Sequence, residues 1–225
     1  MDNSRTEALI GKEGLEKIKK CHVTVVGVGG VGGYTTVMLA RAGIEKFKLI
    51  DFDEVSPSNI NRQIVAYKST IGRKKVDVLK EMLGQINDKI EVEVIPQRLT
   101  KENISSLIGQ TSIVVDAIDS VKDKIELIVY CKEKGIEIIS AMGAGNRYDL
   151  PNFKLVDIYK TSDDGLAKVV RKALRQRGVK SLDTVISMSK AESVEGVIGS
   201  ISYYPAASGS YLAAVVINKI LREEI

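Results

Sequence analysis

The run Gly27-Val28-Gly29-Gly30-Val31-Gly32 constrains this chain more than any other stretch. It closes a short β-branched segment, residues 22–28, and precedes residues 34–42, whose apolar positions recur at helical spacing. Strand, glycine turn and helix in that order form the unit in which backbone N–H groups approach phosphates and the helix N-terminus favours negative charge. A tight turn without a ligand is the alternative for these glycines. Asp51 ends a second predicted strand, residues 46–51, about twenty residues after the loop, where a carboxylate can accept hydrogen bonds from ribose hydroxyls. A nicotinamide cofactor would be held in the same way.

Periodicity further predicts helices over 73–86, 102–108 and 122–134 and strands over 90–96, 112–118 and 136–141. Strands alternating with helices imply an α/β fold with a doubly wound, mainly parallel Rossmann-like sheet. After Gly143 the pattern loosens into a strand over 153–159, a helix over 165–177, and a loop with at most one strand over 181–197. A closing strand over 199–204 and a helix over 212–221 follow. This C-terminal third is expected to add antiparallel strands to the same sheet. No repeat or low-complexity linker divides the chain, so residues 1–225 read as a single nucleotide-binding domain.

Composition narrows the function classes. Hydrophobic residues at 44% and charged residues at 28% are the balance of a packed globular protein. No stretch reaches the roughly eighteen uncharged apolar residues of a membrane helix, and Met1-Asp2-Asn3-Ser4-Arg5 opens no signal peptide. A cytoplasmic location and no membrane partner are therefore expected. Cys21 and Cys131 are the only cysteines, which excludes a disulfide framework and a four-cysteine zinc site. The lone His22 opens a strand and reads as structural. A net charge of +4 permits an RNA partner without requiring one.

The segment after Asp51 separates the nucleotide classes. Asp51-Phe52-Asp53-Glu54-Val55-Ser56-Pro57-Ser58-Asn59-Ile60-Asn61-Arg62-Gln63 sets Asn59 and Arg62 just beyond the strand end, and Lys75 follows thirteen residues after Arg62. Hydride transfer has no need of Arg and Lys converging on a phosphate chain, whereas adenylyl transfer must neutralise the α-phosphate and the departing pyrophosphate. Asp119, read as ending the strand that contains Asp116, stands at the carboxyl edge where such sheets bind ligands and where a carboxylate can serve Mg²⁺. Taken singly, Arg62 and Lys75 could be solvated charges and Asp119 a helix N-cap.

Gly27 to Gly32, Asp51 to Gln63, Gly72-Arg73-Lys74-Lys75 and Asp116 to Asp119 together resemble the motifs of the ThiF/MoeB/HesA adenylating superfamily, over nearly the whole chain. The resemblance implies an enzyme that uses ATP and Mg²⁺ without zinc. It implies nucleotide contacts from Gly27, Gly29, Gly30, Gly32, Asp51 and Asp53, phosphate contacts from Asn59, Arg62 and Lys75, and magnesium at Asp119. Relatives of this kind are often homodimers in which an N-terminal arginine reaches the partner's ATP, the place occupied by Arg5.

Members that pass a sulfur carrier or ubiquitin-like protein onward commonly use a cysteine in a C-terminal loop. Cys131 instead lies within a predicted helix, and Cys21 precedes the first strand. Arg5-Thr6-Glu7-Ala8-Leu9-Ile10-Gly11, Asn59-Ile60-Asn61-Arg62-Gln63, Asp116-Ala117-Ile118-Asp119-Ser120, Gly143-Ala144-Gly145-Asn146 and Gly199-Ser200-Ile201-Ser202-Tyr203 are similar to the tRNA threonylcarbamoyladenosine dehydratase branch. That branch implies a tRNA substrate whose threonylcarbamoyl carboxylate is adenylylated and then cyclised with loss of water, and it leaves room for a sulfur-transfer protein partner. Residues 181–197 depart most from the branch pattern. An activator of a carrier protein ending in Gly-Gly, a non-catalytic nucleotide-binding protein and an NAD-linked enzyme remain alternatives. Lys168, Arg171, Lys172 and Arg175 fall at i, i+3, i+4 and i+7 on one helical face, with Leu166, Val169, Val170, Ala173 and Leu174 expected to pack inward. Such a stripe suits an RNA backbone or is an ordinary solvated face.

Overall fold

The computed structural model describes residues 1–223 and 225. Its elements are α1 (Ser4–Lys20), β1 (His22–Val26), α2 (Gly32–Ala42), β2 (Lys46–Ile50), α3 (Lys75–Ile86), β3 (Glu91–Ile95), α4 (Ile104–Ile108), β4 (Ile113–Asp116), α5 (Val121–Lys134), β5 (Ile138–Ala141), β6 (Phe153–Asp157), α6 (Gly165–Gln176), β7 (Asp183–Ser187) and α7 (Tyr203–Leu221). The strands form a seven-stranded sheet in the order β3-β2-β1-β4-β5-β7-β6. All neighbours pair in parallel except β6 and β7.

The central strands β1, β4 and β5 are buried on both faces and read as short, mainly apolar runs, whereas the edge strands β3 and β6 are partly exposed and carry charged residues. In β1 and β4, Val23, Val25, Ile113 and Val115 face one core, where they meet Leu39 of α2, Leu79 and Leu83 of α3, and Leu212 and Val216 of α7. Val26 and Val114 face the other, with Leu107, Ile108, Leu127, Ile128, Val170 and Leu174 from α4, α5 and α6. Truncating a fully buried residue such as Leu79 to Ala costs roughly 2–5 kcal/mol in a core of this kind. Doubly wound packing of this sort leaves the carboxyl ends of the strands as the open edge.

Four features differ from the sequence reading. The expected closing strand over 199–204 does not form: Ile198 and Ile201 are exposed, and α7 begins at Tyr203. Pro205 sits in the first turn of α7, where its missing N–H costs no intrahelical bond. Only β6 is antiparallel, because β7 runs parallel to β5 and so continues the doubly wound pattern into residues 183–187. β4 ends at Asp116, so Asp119 lies in the loop between β4 and α5 rather than on the strand. The N-terminal helix α1, which no clean periodicity announces, is broken at Gly11 (φ 76°, ψ 167°) and packs its second half on α7.

Candidate active site

The glycine turn between β1 and α2 is shaped by two different demands. Gly27 has φ +86°, and a methyl there would lie 2.7 Å from the Ala117 carbonyl oxygen; one on Gly32 would lie 1.9 Å from the Gly27 oxygen. Gly27 is therefore required by its positive φ and the close approach of the loop after β4, and Gly32 by the close approach of the start of α2 to the turn. Gly29 and Gly30 are not required in this way. A methyl on Gly29 would make only ordinary contact, 3.7 Å from Gln63 Nε2, and one on Gly30 would lie 3.2 Å from Pro205 Cβ and 3.7 Å from Arg62 Cγ. No side chain caps the N-terminus of α2. Bare backbone, an uncapped helix start and nearby Arg62 make a cradle that fits an anionic phosphate chain.

Asp51 stands immediately after β2 and turns back to the loop. Its Oδ2 accepts the Val28 N–H at 2.8 Å and its Oδ1 the Asp53 N–H at 2.8 Å. Burial pushes its carboxyl above the usual carboxylate range, and the Asp53 N–H, the Lys75 ammonium and the Val28 N–H pull it back. Asp53 Oδ2 holds Lys75 Nζ at 2.7 Å, and the Lys75 side chain is only 6% exposed. Lys75 is also the first residue of α3, where the helix dipole disfavours a cation. A buried ammonium in that place needs its carboxylates, and it stands ready for a polyanion.

Asn59 and Arg62 come from the turn that follows. The Asn59 Oδ1 accepts the Ser56 N–H at 3.1 Å, and its carbonyl accepts the N–H groups of Arg62 and Gln63 at 3.0 and 2.9 Å. Asn59 thus also shapes the turn that aims Arg62. One Arg62 terminal nitrogen donates to the Ser58 carbonyl at 2.8 Å and to Asn61 Oδ1 at 2.9 Å, which leaves the rest of the fork open among the described residues. Gln63, to which sequence reasoning gave no role, is buried beside Gly29, and its Oε1 lacks a hydrogen-bond partner. An orphaned buried acceptor at the cradle is a cost that a ligand donor would relieve. Only tertiary burial singles it out, so no sequence signal could have.

Asp119 is exposed in the loop after β4. Beneath it lies a network that sequence reasoning missed. Lys124 Nζ donates to Asp116 Oδ2 at 2.8 Å, Ser140 Oγ at 3.2 Å and the Ala141 carbonyl at 3.1 Å, while Asp116 Oδ1 accepts the Ile118 N–H at 3.1 Å. The Lys124 and Asp116 side chains are fully buried, so the pair fixes the ends of β4 and β5 and the loop carrying Asp119. Among the described residues no three His, Cys, Asp or Glu side chains gather to hold a metal. The donors fit a Mg²⁺ held by one carboxylate and substrate phosphates, not an all-protein cage.

Arg5 lies outside this constellation. It is exposed near the start of α1, whose preceding Asn3 side chain comes near Gly43 at the C-terminal end of α2, the edge opposite the glycine turn. Cys131 is buried in α5, where burial chiefly pushes its thiol up to about 12. Cys21 lies between α1 and β1, at the opposite edge from the glycine turn. On α6, Lys168 and Lys172 are exposed, Arg171 donates to the Thr161 carbonyl at 2.7 Å, and Arg175 lies 5.4 Å from the Tyr159 ring centroid. Val169 is 50% exposed rather than packed inward; Ala167, Val170 and Leu174 form the buried face instead.

A ThiF-family profile matches residues 3–223. This chain belongs to the ThiF family. Among relatives of the ThiF-family chain, the tRNA threonylcarbamoyladenosine dehydratase of Bacillus subtilis is 43% identical over 178 residues, which are 79% of this chain and 70% of that one. The Escherichia coli protein of the same name is 38% identical over 171 residues, 76% of this chain and 64% of that one. The crystal structure of the E. coli enzyme in complex with AMP superposes with a TM-score of 0.93 at 31% identity, covering 98% of this chain and 94% of that chain. The complex with ATP gives 0.92 at 32%. E. coli MccB with ATP, at 20% identity and a TM-score of 0.68, shares the fold. Among the described residues of this ThiF-family chain, no helix is long and apolar enough to cross a membrane.

Proposed function

We propose that this chain is an ATP-dependent tRNA threonylcarbamoyladenosine dehydratase, one domain over 1–225 that works in the cytoplasm as a homodimer. A threonylcarbamoyl carboxylate oxygen attacks the α-phosphorus of ATP, and pyrophosphate leaves. A nucleophile within the same side chain then attacks the acyl-adenylate carbonyl, loses its proton and expels AMP. The net change in the nucleoside is the loss of one water. Because the attacking group and the activated carbonyl are already neighbours, positioning and charge neutralisation suffice.

In this reading Gly27, Gly29, Gly30 and Gly32 bring backbone to the phosphates, Asp51 holds the ribose, and Arg62, Lys75 and Asn59 neutralise the polyphosphate. Asp53 holds Lys75 until the phosphates arrive. Asp119 would hold Mg²⁺, which when bound withdraws charge from the phosphate oxygens. Arg5 reaches the site of the partner subunit, consistent with its distance from its own. Lys168, Lys172 and Arg175, with Arg171 anchored to Thr161, face the tRNA backbone.

The observation that carries the reading is a carboxyl edge with Arg62 beside Gly30, Lys75 buried and held by Asp53, and no cysteine. Cys131 is buried and poorly ionised, and Cys21 lies at the other edge, so neither thiol of this sequence suits onward transfer. ATP–pyrophosphate exchange tests it. Exchange should require tRNA bearing threonylcarbamoyladenosine. Exchange supported instead by a small protein ending in Gly-Gly would favour a carrier-protein activator.

A further inference from the structure

The glycine turn follows β1, Asp51 follows β2 and Arg98 comes three residues after the end of β3, and in the sheet these strands are ordered β3-β2-β1. From beyond the end of β3 the Arg98 side chain reaches Asp123 at the start of α5 and lies over Phe52, the residue after Asp51, so its guanidinium borders the Asp51 part of the carboxyl edge. A nucleotide with its phosphates on the glycine turn and its ribose on Asp51 has Arg98 within the neighbourhood of its base.

Arg98 is fixed there to an unusual degree for an exposed side chain. Its Nε donates to Asp123 Oδ2 at 2.9 Å and a terminal nitrogen pairs with the same oxygen at 2.8 Å. Asp123 is itself buried, in the first turn of α5. The guanidinium carbon lies 5.6 Å from the centroid of the Phe52 ring. Asn103 Nδ2 donates to the Arg98 carbonyl at 2.9 Å, and Lys74 Nζ to the Phe52 carbonyl at 3.0 Å, so both backbones are held as well. Even so, the Arg98 side chain is 53% exposed and Phe52 is 47% exposed. The Arg98–Asp123 pair has one buried and one exposed partner, and the two exposed side chains of Arg98 and Phe52 gain little stability from covering each other alone. A guanidinium plane held edge-on by a carboxylate, with one face on an aromatic ring, presents its other face for stacking.

We propose that Arg98, clamped by Asp123 and laid over Phe52, is the base-binding residue of this site, stacking its open face on the purine of the bound nucleotide. The inference rests on the reading of the edge as an adenosine nucleotide site. Stacking on a guanidinium plane is tolerant of base identity, so Arg98 supplies affinity for the nucleoside end rather than choice among purines.

Titration calorimetry of the full chain with AMP and with inorganic tripolyphosphate tests it. Arg98→Ala should weaken AMP on the order of tenfold and leave tripolyphosphate unchanged, the size of one stacking contact. Arg98→Lys keeps a charge for Asp123 but lacks the plane, and should lose AMP affinity as Ala does; it also serves if Arg98→Ala does not fold. Unchanged AMP affinity in a folded Arg98→Lys protein, or an equal loss for AMP and tripolyphosphate, would overturn the role of Arg98. A wild-type protein that binds neither AMP nor ATP would instead overturn the nucleotide reading beneath it.

Discussion

Around the glycine turn, Lys75 meets Asp53 at 2.7 Å and the Asp51 carboxylate takes two backbone N–H groups. Across the same edge, beyond β5, the segment 188–202 is tied down differently. Asn61 Nδ2 donates to the Ser200 carbonyl at 3.0 Å, Asn146 Oδ1 accepts the Gly199 N–H at 2.6 Å, and Arg147 Nε donates to the Ser189 carbonyl at 2.9 Å. Val194, Val197 and Ile198 in that segment face solvent. The first region fixes its charge by an ion pair and backbone N–H groups packed against the sheet edge; the second is a loop whose apolar side chains face solvent and which is held by separate bonds from distant residues. Phosphate chemistry needs fixed charge at the moment of reaction, whereas admitting a large substrate needs a rim that can be engaged.

The contrast breaks most directly at the charged side. Arg62→Ala, Lys75→Ala and Asp119→Ala should each lower kcat/KM for ATP-dependent turnover by at least about a hundredfold while the thermal melt stays cooperative. Near-wild-type turnover in any one of them removes that residue from the site.

On the rim the expected effect is smaller. Asn146 has φ 56°, which Asn tolerates better than most residues, and it holds Gly199 through both its side chain and its backbone. Asn146→Ala should therefore raise KM for tRNA roughly tenfold with ATP affinity unchanged. A hundredfold fall in kcat would show that the rim is part of the chemistry, and the contrast would fail.

Legibility in the sequence follows the same division. The glycine turn, Asp51 and Lys75 sit at strand ends and a helix start, so local pattern points to the carboxyl edge, and Arg62 follows in the turn after Asp51. The strand expected over 199–204 misled because Ile201, Tyr203 and Tyr204 look like strand residues, yet Ile201 is exposed and Tyr204 is buried at the start of α7, hydrogen-bonded to Ser187 at 2.7 Å. Lys124 under Asp116, Gln63 beside Gly29 and Arg147 paired with Asp164 at 3.1 Å were illegible for one reason. Each is a polar side chain whose role depends on what the fold buries around it.

Helix α6 sharpens the comparison further, since Asp164, which caps its N-terminus, is the partner of Arg147. Neutralising Lys168, Lys172 and Arg175 should raise the apparent KM for tRNA and reduce the slope of its salt dependence by roughly one per lost phosphate contact. An unchanged slope would mark the stripe as an ordinary solvated face.

The smallest effect concerns the cysteines. Cys131→Val and Cys21→Ser should leave turnover nearly unchanged. Burial raises the Cys131 thiol from 9.0 to about 12, so between those values the unfolded chain loses its proton first. That contribution to stability is complete below pH 9 and is lost as pH rises toward 12, by about 2 kcal/mol midway through the window. The wild-type melt should therefore fall between pH 9 and 12 relative to that of Cys131→Val, which has no thiol to ionise in that window. A Cys131→Val protein that folds but is inactive would return the thioester route to consideration.

The central claim is that this edge activates a carboxylate already attached to tRNA. Mass spectrometry of nucleosides from threonylcarbamoyladenosine-bearing tRNA, incubated with ATP and the wild-type protein, measures it most directly. The account predicts a product lighter by one water that appears only with ATP and is abolished in Lys75→Ala; an unchanged nucleoside with wild-type protein and ATP would contradict it.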